Sequence, residues 1–299
     1  MNTKEPYIII SNMSYRYSDA KHYALEELNF TIDKGEFVVI LGEHLAGKST
    51  FCQILNGVIP NFKGGEMKGS VIVGGLNTQE VSVAEMAQKV GMVLQDPAVQ
   101  LFTTKVINEV AFGPENLCLN VDEILERVRW ALQVVGLAGF EERSPTSLSG
   151  GQQQRLVIAA ALAMWPEVLV LDEPTSQLDP IGTIEIFSLV QELNKKYNMT
   201  IVIATHASEE AAQFADRILI LHQHRLIAQG APQEIYQNTK LLEQVNIPSP
   251  QVSRLATYLE ERSLRFPEFP ITIEQARKGI EQLVRRSENC GLQPSKRRA

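Results

Sequence analysis

Long apolar runs are the first thing this 299-residue chain lacks. No stretch approaches the ~20 uninterrupted apolar residues that a membrane-crossing helix needs. The longest candidate, VIAAALAMWPEVLVL, is broken by Pro166 and Glu167. Cysteine is scarce too: Cys52, Cys118 and Cys290 lie far apart, with no CxxC or metal-ligand spacing. That argues against a disulfide scaffold and suits a reducing compartment. Basic charge is in deficit, with 28 Lys and Arg against 35 Asp and Glu and a formal net charge of −7. A general electrostatic grip on nucleic acid is therefore not expected. The basic cluster Lys296, Arg297 and Arg298 reads as a solvated tail. The opening MNTKEPYIII has too short an apolar run for a secretory leader, so a cytosolic protein is the expectation. Internal repeats and low-complexity tracts are absent as well.

What is present is an ordinary globular composition, 44% hydrophobic and 21% charged, with length for one large or two modest domains. Short β-rich runs alternate with helical patterns over the first ~230 residues, the mark of an α/β domain. EFVVIL, VGMVL, VLVL and TIVIAT are continuous apolar runs, as parallel strands buried on both faces require. YIIISNMSYRY and LEELNFTIDKGE instead look like antiparallel strands, and RILILHQHRLIAQG reads as a hairpin. Between Gln95 and Ser149 the β-rich runs stop. There DEILERVRWALQVVGL places Ile124, Leu125, Val128, Ala131, Leu132 and Val135 on one helical face. A helical subdomain over about 96–160, inside a domain spanning 1–235, is expected. Residues 236–299 read as a small helical extension, with helical runs separated by PSP and FPEFP.

Three stations carry chemistry. The first is GEHLAGKST: Gly42, then Glu43, His44, Leu45 and Ala46, then Gly47, Lys48, Ser49 and Thr50. A buried-type strand feeding a glycine-bracketed turn and a helix aims backbone N–H groups and the positive helix end at one spot, an anion site. In this phosphate-loop pattern Lys48 reaches the β- and γ-phosphates of ATP and the Ser49 hydroxyl ligates Mg²⁺. The second station is VLVLDEPT, where a strand ends in Asp172 and Glu173. Asp172 is placed to hold the Mg²⁺ shell, and Glu173 to orient or deprotonate a water. The third is LSGGQQQR, in which Ser149, Gly150, Gly151 and Gln152 open a second helix as another anion-binding terminus. Two phosphate-type sites in one chain would serve one nucleotide if two subunits meet head-to-tail.

Over most of residues 5–235 this set resembles the ATP-binding-cassette family, and the match to LSGGQ is complete. The resemblance implies a P-loop ATPase core: a RecA-like parallel sheet, an antiparallel β subdomain and a helical subdomain. It also assigns further residues. Gln95 in VLQDP is similar to the Q-loop glutamine, touching Mg²⁺ or the attacking water and sensing a membrane partner. His206 in IATH resembles the switch histidine at the γ-phosphate. Asp179 in SQLDP resembles the aspartate that crosses the dimer interface. Tyr17 in YRYSD stands where an aromatic ring stacks on adenine, with Tyr15 as the competing ring.

QDPAVQLF, INEVAFGPENL and SLSGGQQQRLVIAAALAMWPEVLVLDEPTSQLDP narrow the resemblance to the ATPases of energy-coupling-factor importers for vitamins or transition-metal ions. It implies a second ATPase subunit, alike or different, a transmembrane coupling protein and a separate substrate-binding membrane subunit, with this chain peripheral on the cytoplasmic face. The rival class is a soluble cassette ATPase acting on nucleic acid or ribosomes. The acidic balance, the single cassette and the lack of a heptad insert count against it. A non-hydrolysing regulatory subunit would have lost the DE or LSGG station, and both are intact. Leu45 stands where related cassettes usually have glycine. A bulky residue is strained at positive φ, so a negative φ is expected, with the side chain turned off the phosphates. The other reading of Leu45 is a weakened ATP site, leaving a partner's site to dominate in a heterodimer.

Overall fold

The computed structural model describes residues 5–289; Cys290 and the basic tail fall outside that range. Two sheets frame the molecule. The larger is built on β3 (Phe37–Gly42), β6 (Val90–Val93), β7 (Val168–Asp172), β8 (Thr200–Ala204), β9 (Arg217–His222) and β10 (Arg225–Gly230). Its order is β10-β9-β3-β8-β7-β6, parallel throughout except for the β9–β10 hairpin.

Its inner strands β3, β7 and β8 lack alternation because both faces are covered, whereas the edge strand β10 alternates exposed and half-buried residues. Val39 and Leu41 of β3 enter one core while Val38 and Ile40 enter the other, and β7 divides Leu169 and Leu171 from Val168 and Val170 in the same way. Polar residues on either face would be stranded without water, so the run has to be apolar throughout.

The second sheet is antiparallel, in the order β2-β1-β4-β5. It comprises β1 (Pro6–Arg16), β2 (Leu25–Asp33), β4 (Glu66–Val73) and β5 (Leu76–Asn77). Between the two sheets lies α1 (Lys48–Leu55), whose Phe51, Cys52, Ile54 and Leu55 are buried. Two single-turn helices follow, α2 (Val58–Asn61) and α3 (Val83–Met86).

The helical insert is α4 (Val106–Asn116), α5 (Val121–Val134) and α6 (Gly150–Leu162), packed on one another. Of the predicted face of α5, Val128, Ala131, Leu132 and Val135 are buried, while Ile124 and Leu125 are half-buried. Then come α7 (Pro180–Tyr197), α8 (Ser208–Phe214), α9 (Pro232–Gln237), α10 (Thr239–Gln244), α11 (Gln251–Glu260) and α12 (Ile273–Asn289). Core packing runs on across position 236: Ile235, Tyr236, Leu242, Val245 and Ile247 join the core on the α6 and α7 side of the large sheet. The Tyr236 hydroxyl donates to the Ser208 carbonyl at 2.9 Å, tying α9 to α8. Among the described residues, no helix is long and apolar enough to cross a membrane.

Candidate nucleotide site

The turn from β3 into α1 is dictated by close approach. A Cβ on Gly42 would lie 2.4 Å from the Leu221 carbonyl oxygen of the neighbouring strand. Gly47 has φ +102, and a Cβ there would meet the Ala24 carbonyl at 2.5 Å. Only glycine fits either place. The turn therefore ends with α1 pointing its N-terminus into a cleft of about 560 Å³. Glu43 through Thr50 line that cleft together with Tyr17, Gln95 and Glu173. A helix N-terminus aimed into a cleft is an anion site whatever its occupant.

Lys48 is buried and reaches back along the loop. Its Nζ donates to the Gly42 carbonyl at 2.8 Å and the Glu43 carbonyl at 3.2 Å. The same ammonium is 3.0 Å from His206 Nε2 and 3.4 Å from Glu173 Oε1. Because Lys48 can only donate, Nε2 of His206 accepts, and the proton of the neutral ring sits on Nδ1. Glu173 Oε1 is 3.1 Å from that Nε2 and buried, with Lys48 as its ion-pair partner and no hydrogen bond. An orphaned carboxylate oxygen facing a cleft is an acceptor held ready for a proton donor. On the other side of Lys48, the Ser49 hydroxyl donates to Asp172 Oδ1 at 3.0 Å. One hydroxyl and one carboxylate side by side form the oxygen donor pair that a hard divalent cation shares with phosphates.

Burial sets the protonation of these groups. It pushes the Asp172 carboxyl up, against the Ser49 hydrogen bond that holds it down. It also pushes Glu173 up, against the opposing pull of the Lys48 charge. It lowers Lys48, with Glu173 resisting. His206 falls to about 4, first through burial and then through the nearby Lys48 and His44. The imidazole is therefore neutral near pH 7, and Glu173 is a stronger base than a solvated glutamate.

The structure separates the two candidate tyrosines. Tyr15 is fully buried, and its hydroxyl donates to the Gly64 carbonyl at 2.8 Å, which makes it a core ring. Tyr17 lines the cleft, with its hydroxyl 3.0 Å from Thr50 Oγ1 and its ring edge-on to Tyr15. Leu45 corrects an expectation: its φ is +65, not negative. The side chain is nevertheless 91% exposed, so it does point into solvent. The turn between the two glycines demands a left-handed residue there, and the loop imposes it on leucine at a cost of roughly 1–2 kcal/mol.

Ser149 lies outside this cleft. It caps α6, accepting from the Gln152 amide at 3.4 Å, while the Gln152 side chain accepts from the Ser149 amide at 3.0 Å. A Cβ on Gly150 or Gly151 would touch nothing within 4 Å, and neither has a positive φ. Nothing in the packing of the described residues requires glycine at either position. Asp179 is likewise exposed and caps α7 by accepting from the Gly182 amide at 2.7 Å. Lys21, His22, Tyr23 and His224 also line the cleft. No motif spacing marks them; for the first three, proximity to Tyr17 in sequence is the only available signal.

Comparison with known proteins fits this geometry. The family model described as ABC transporter matches residues 25–176. An ABC transporter ATP-binding protein of Pyrococcus abyssi is 45% identical over 257 residues, covering 86% of this chain and 92% of that one. The energy-coupling factor transporter ATP-binding protein EcfA2 of Caldanaerobacter subterraneus subsp. tengcongensis is 37% identical, covering 94% and 99%. Among solved structures, cbiO1 of Clostridium perfringens, part of an ABC transporter complex, aligns with a TM-score of 0.73 at 33% identity, covering 86% of this chain and 100% of that one. A dimeric ATP-binding cassette in a post-hydrolysis state, bound to ADP and Pi, aligns with a TM-score of 0.66 at 28% identity, covering 75% and 98%.

Proposed function

The chain belongs to the ABC transporter family as an ATP-hydrolysing cassette, and from that premise we propose that it powers an importer of the energy-coupling-factor type. Two cassettes close around ATP, each supplying the half-site the other lacks. The observation that carries this reading is the division of the motifs. Lys48, Ser49, Asp172, Glu173 and His206 converge at one cleft, while Ser149 and Gly150 stand exposed and Gly151 half-buried elsewhere, with glycines that local packing does not explain. A second copy or a related subunit, placed head-to-tail, brings that bare helix end to the γ-phosphate. Asp179, exposed at the start of α7, is free to meet such a partner.

Within the cleft each residue has one task. Tyr17 offers its ring to adenine, and the loop amides and Lys48 hold the phosphates. Ser49 and Asp172 suit a Mg²⁺ ion, with Gln95 reaching in from the end of β6. When bound, the ion neutralises phosphate charge. Glu173 accepts a proton from water as the water oxygen attacks the γ-phosphorus, and ADP departs in line. His206, neutral, donates to the γ-phosphate from Nδ1 or, after tautomer exchange, from Nε2. A positioned general base contributes about 10²–10⁴-fold in rate.

For the membrane side, support comes from the segment that follows Gln95. Val99, Phe102 and Phe112 are exposed at 71%, 65% and 45%, with the two phenylalanine rings edge-on at 4.8 Å. Apolar side chains in that number suit an apolar helix of a transmembrane coupling protein better than water. A tagged copy purified from mildly solubilised membranes is expected to bring down a second cassette and small hydrophobic subunits. Recovery as a free protein carrying RNA or DNA would overturn the assignment.

A further inference from the structure

We propose that Asn246, in the C-terminal extension, is a positioning residue for the phosphate-binding loop and acts through Glu43. The two residues lie 203 positions apart, yet Asn246 Nδ2 donates to Glu43 Oε1 at 2.7 Å. The other carboxylate oxygen, Oε2, is 3.7 Å from His222 Nδ1. Glu43 is the first residue after Gly42, and its main-chain carbonyl accepts from both Lys48 Nζ and the Ala46 amide, each at 3.2 Å. A hold on its side chain is therefore a hold on the carbonyl that orients Lys48 and closes the turn.

The anchor behind this hold is rigid. Asn246 follows α10 in the left-handed region, at φ +50. Its neighbours Val245 and Ile247 are 3% and 7% exposed, packed into the core. The Ile247 amide donates to the Leu242 carbonyl at 3.0 Å, completing the helix end. A left-handed residue after a helix is satisfied by glycine or asparagine alike. Of these two, only asparagine brings an amide that reaches Glu43. The loop needs outside support because it carries Leu45 at φ +65, and a strained backbone persists only where its surroundings over-determine it.

The inference rests on the assignment of this cleft to ATP, and the experiment keeps the two apart. ATP binding and steady-state hydrolysis are measured for the full chain, for Lys48→Ala, and for three variants of the contact. Loss of ATP binding in Lys48→Ala tests the cleft itself. Asn246→Gly keeps the left-handed helix end and removes only the amide. It is expected to raise KM for ATP about three- to tenfold, the range of one ordinary hydrogen bond, since this one is exposed to solvent, with kcat at saturating ATP unchanged. Asn246→Asp, also tolerant of that backbone, sets two carboxylates face to face and is expected to raise KM further. Combining it with Glu43→Gln restores a hydrogen bond with donor and acceptor exchanged, and KM is expected to return towards wild type. A wild-type KM in Asn246→Gly, an effect confined to kcat, or a failure of the exchanged pair to recover would each overturn the proposal. A residue that only caps α10 would lower the melting temperature of Asn246→Asp without showing this KM recovery.

Discussion

The Lys48 cleft and the Ser149 helix end are both anion-type sites at helix N-termini, but they are built in opposite ways. Around Lys48 every charged group already touches another: the ammonium bridges His206, Glu173 and two loop carbonyls, and Ser49 bonds Asp172. The surrounding core supplies the rigidity, since α1 is clamped between two sheets. At Ser149 the only partners among the described residues are its own helix's first turn, and the two glycines face open space. A preorganised half-site carries the chemistry. A bare half-site offers contacts only to another molecule, which is what the proposed pairing requires of the second region.

Breaking the preorganised half should have the largest effect. Glu173→Gln removes the base and is expected to lower kcat by about 10²–10⁴-fold while ATP still closes the pair. Size-exclusion chromatography with ATP and a phosphate-release assay read the two outcomes separately, and hydrolysis at the wild-type rate would sink the assignment of the base.

Gly151→Ala probes the other half. Added to open space in a helix, the methyl should leave melting unchanged or slightly higher, because alanine outranks glycine in helices by up to ~1 kcal/mol. ATP binding to a single chain should persist, whereas turnover should fall by about 10²-fold or more, the value of one lost oxyanion-type contact. Unchanged turnover would mean that these glycines serve no partner nucleotide.

A pH series sharpens the contrast at His206, whose value of about 4 lies below its ordinary 6.5. Between these two values the unfolded chain binds the proton that the folded chain resists, so stability falls as pH drops from about 6.5 towards about 4. The slope of melting temperature over that window should be shallower in His206→Gln than in wild type. The effect is modest, since the side chain is 40% exposed to screening solvent. Identical slopes would remove His206 as the cause.

The smallest expected change is that of Leu45→Gly. Relief of the left-handed strain, partly offset by the greater chain entropy of glycine, should stabilise the fold by about 1 kcal/mol or less. If leucine weakens this nucleotide site, the glycine variant will also bind ATP more tightly; equal affinity would leave Leu45 as a tolerated strain.

Much of this was legible in the sequence because burial leaves a mark that needs no partner. β3, β7 and β8 have to be apolar throughout once helices cover both faces, and the runs FVVIL, VLVL and TIVIA say so. GEHLAGKST was readable as a turn because its glycines sit at close approaches, whereas the acids of VLVLDEPT, commonplace at a strand end, stood out only beside that loop, and the structure brings Ser49 to Asp172. β4 left no such mark. Only Val71 and Val73 of its eight residues are buried, and Gly69 at φ +70 interrupts it. The choice between Tyr15 and Tyr17 was equally silent, because two aromatics two residues apart become core and cleft ring only when the strand has a sheet to face.

The sequence by itself determined which residues cluster at the β3–α1 turn and the β7 end, since spacing along one turn and one strand end is local and the chain cannot rearrange it. Tertiary structure alone decided the conformation of Leu45, whose own preference is for negative φ but whose loop is closed by a neighbouring strand and by Lys48. It alone brought Asn246 to Glu43, because a contact across 203 residues depends on how α10 docks in the core and has no signature in either segment.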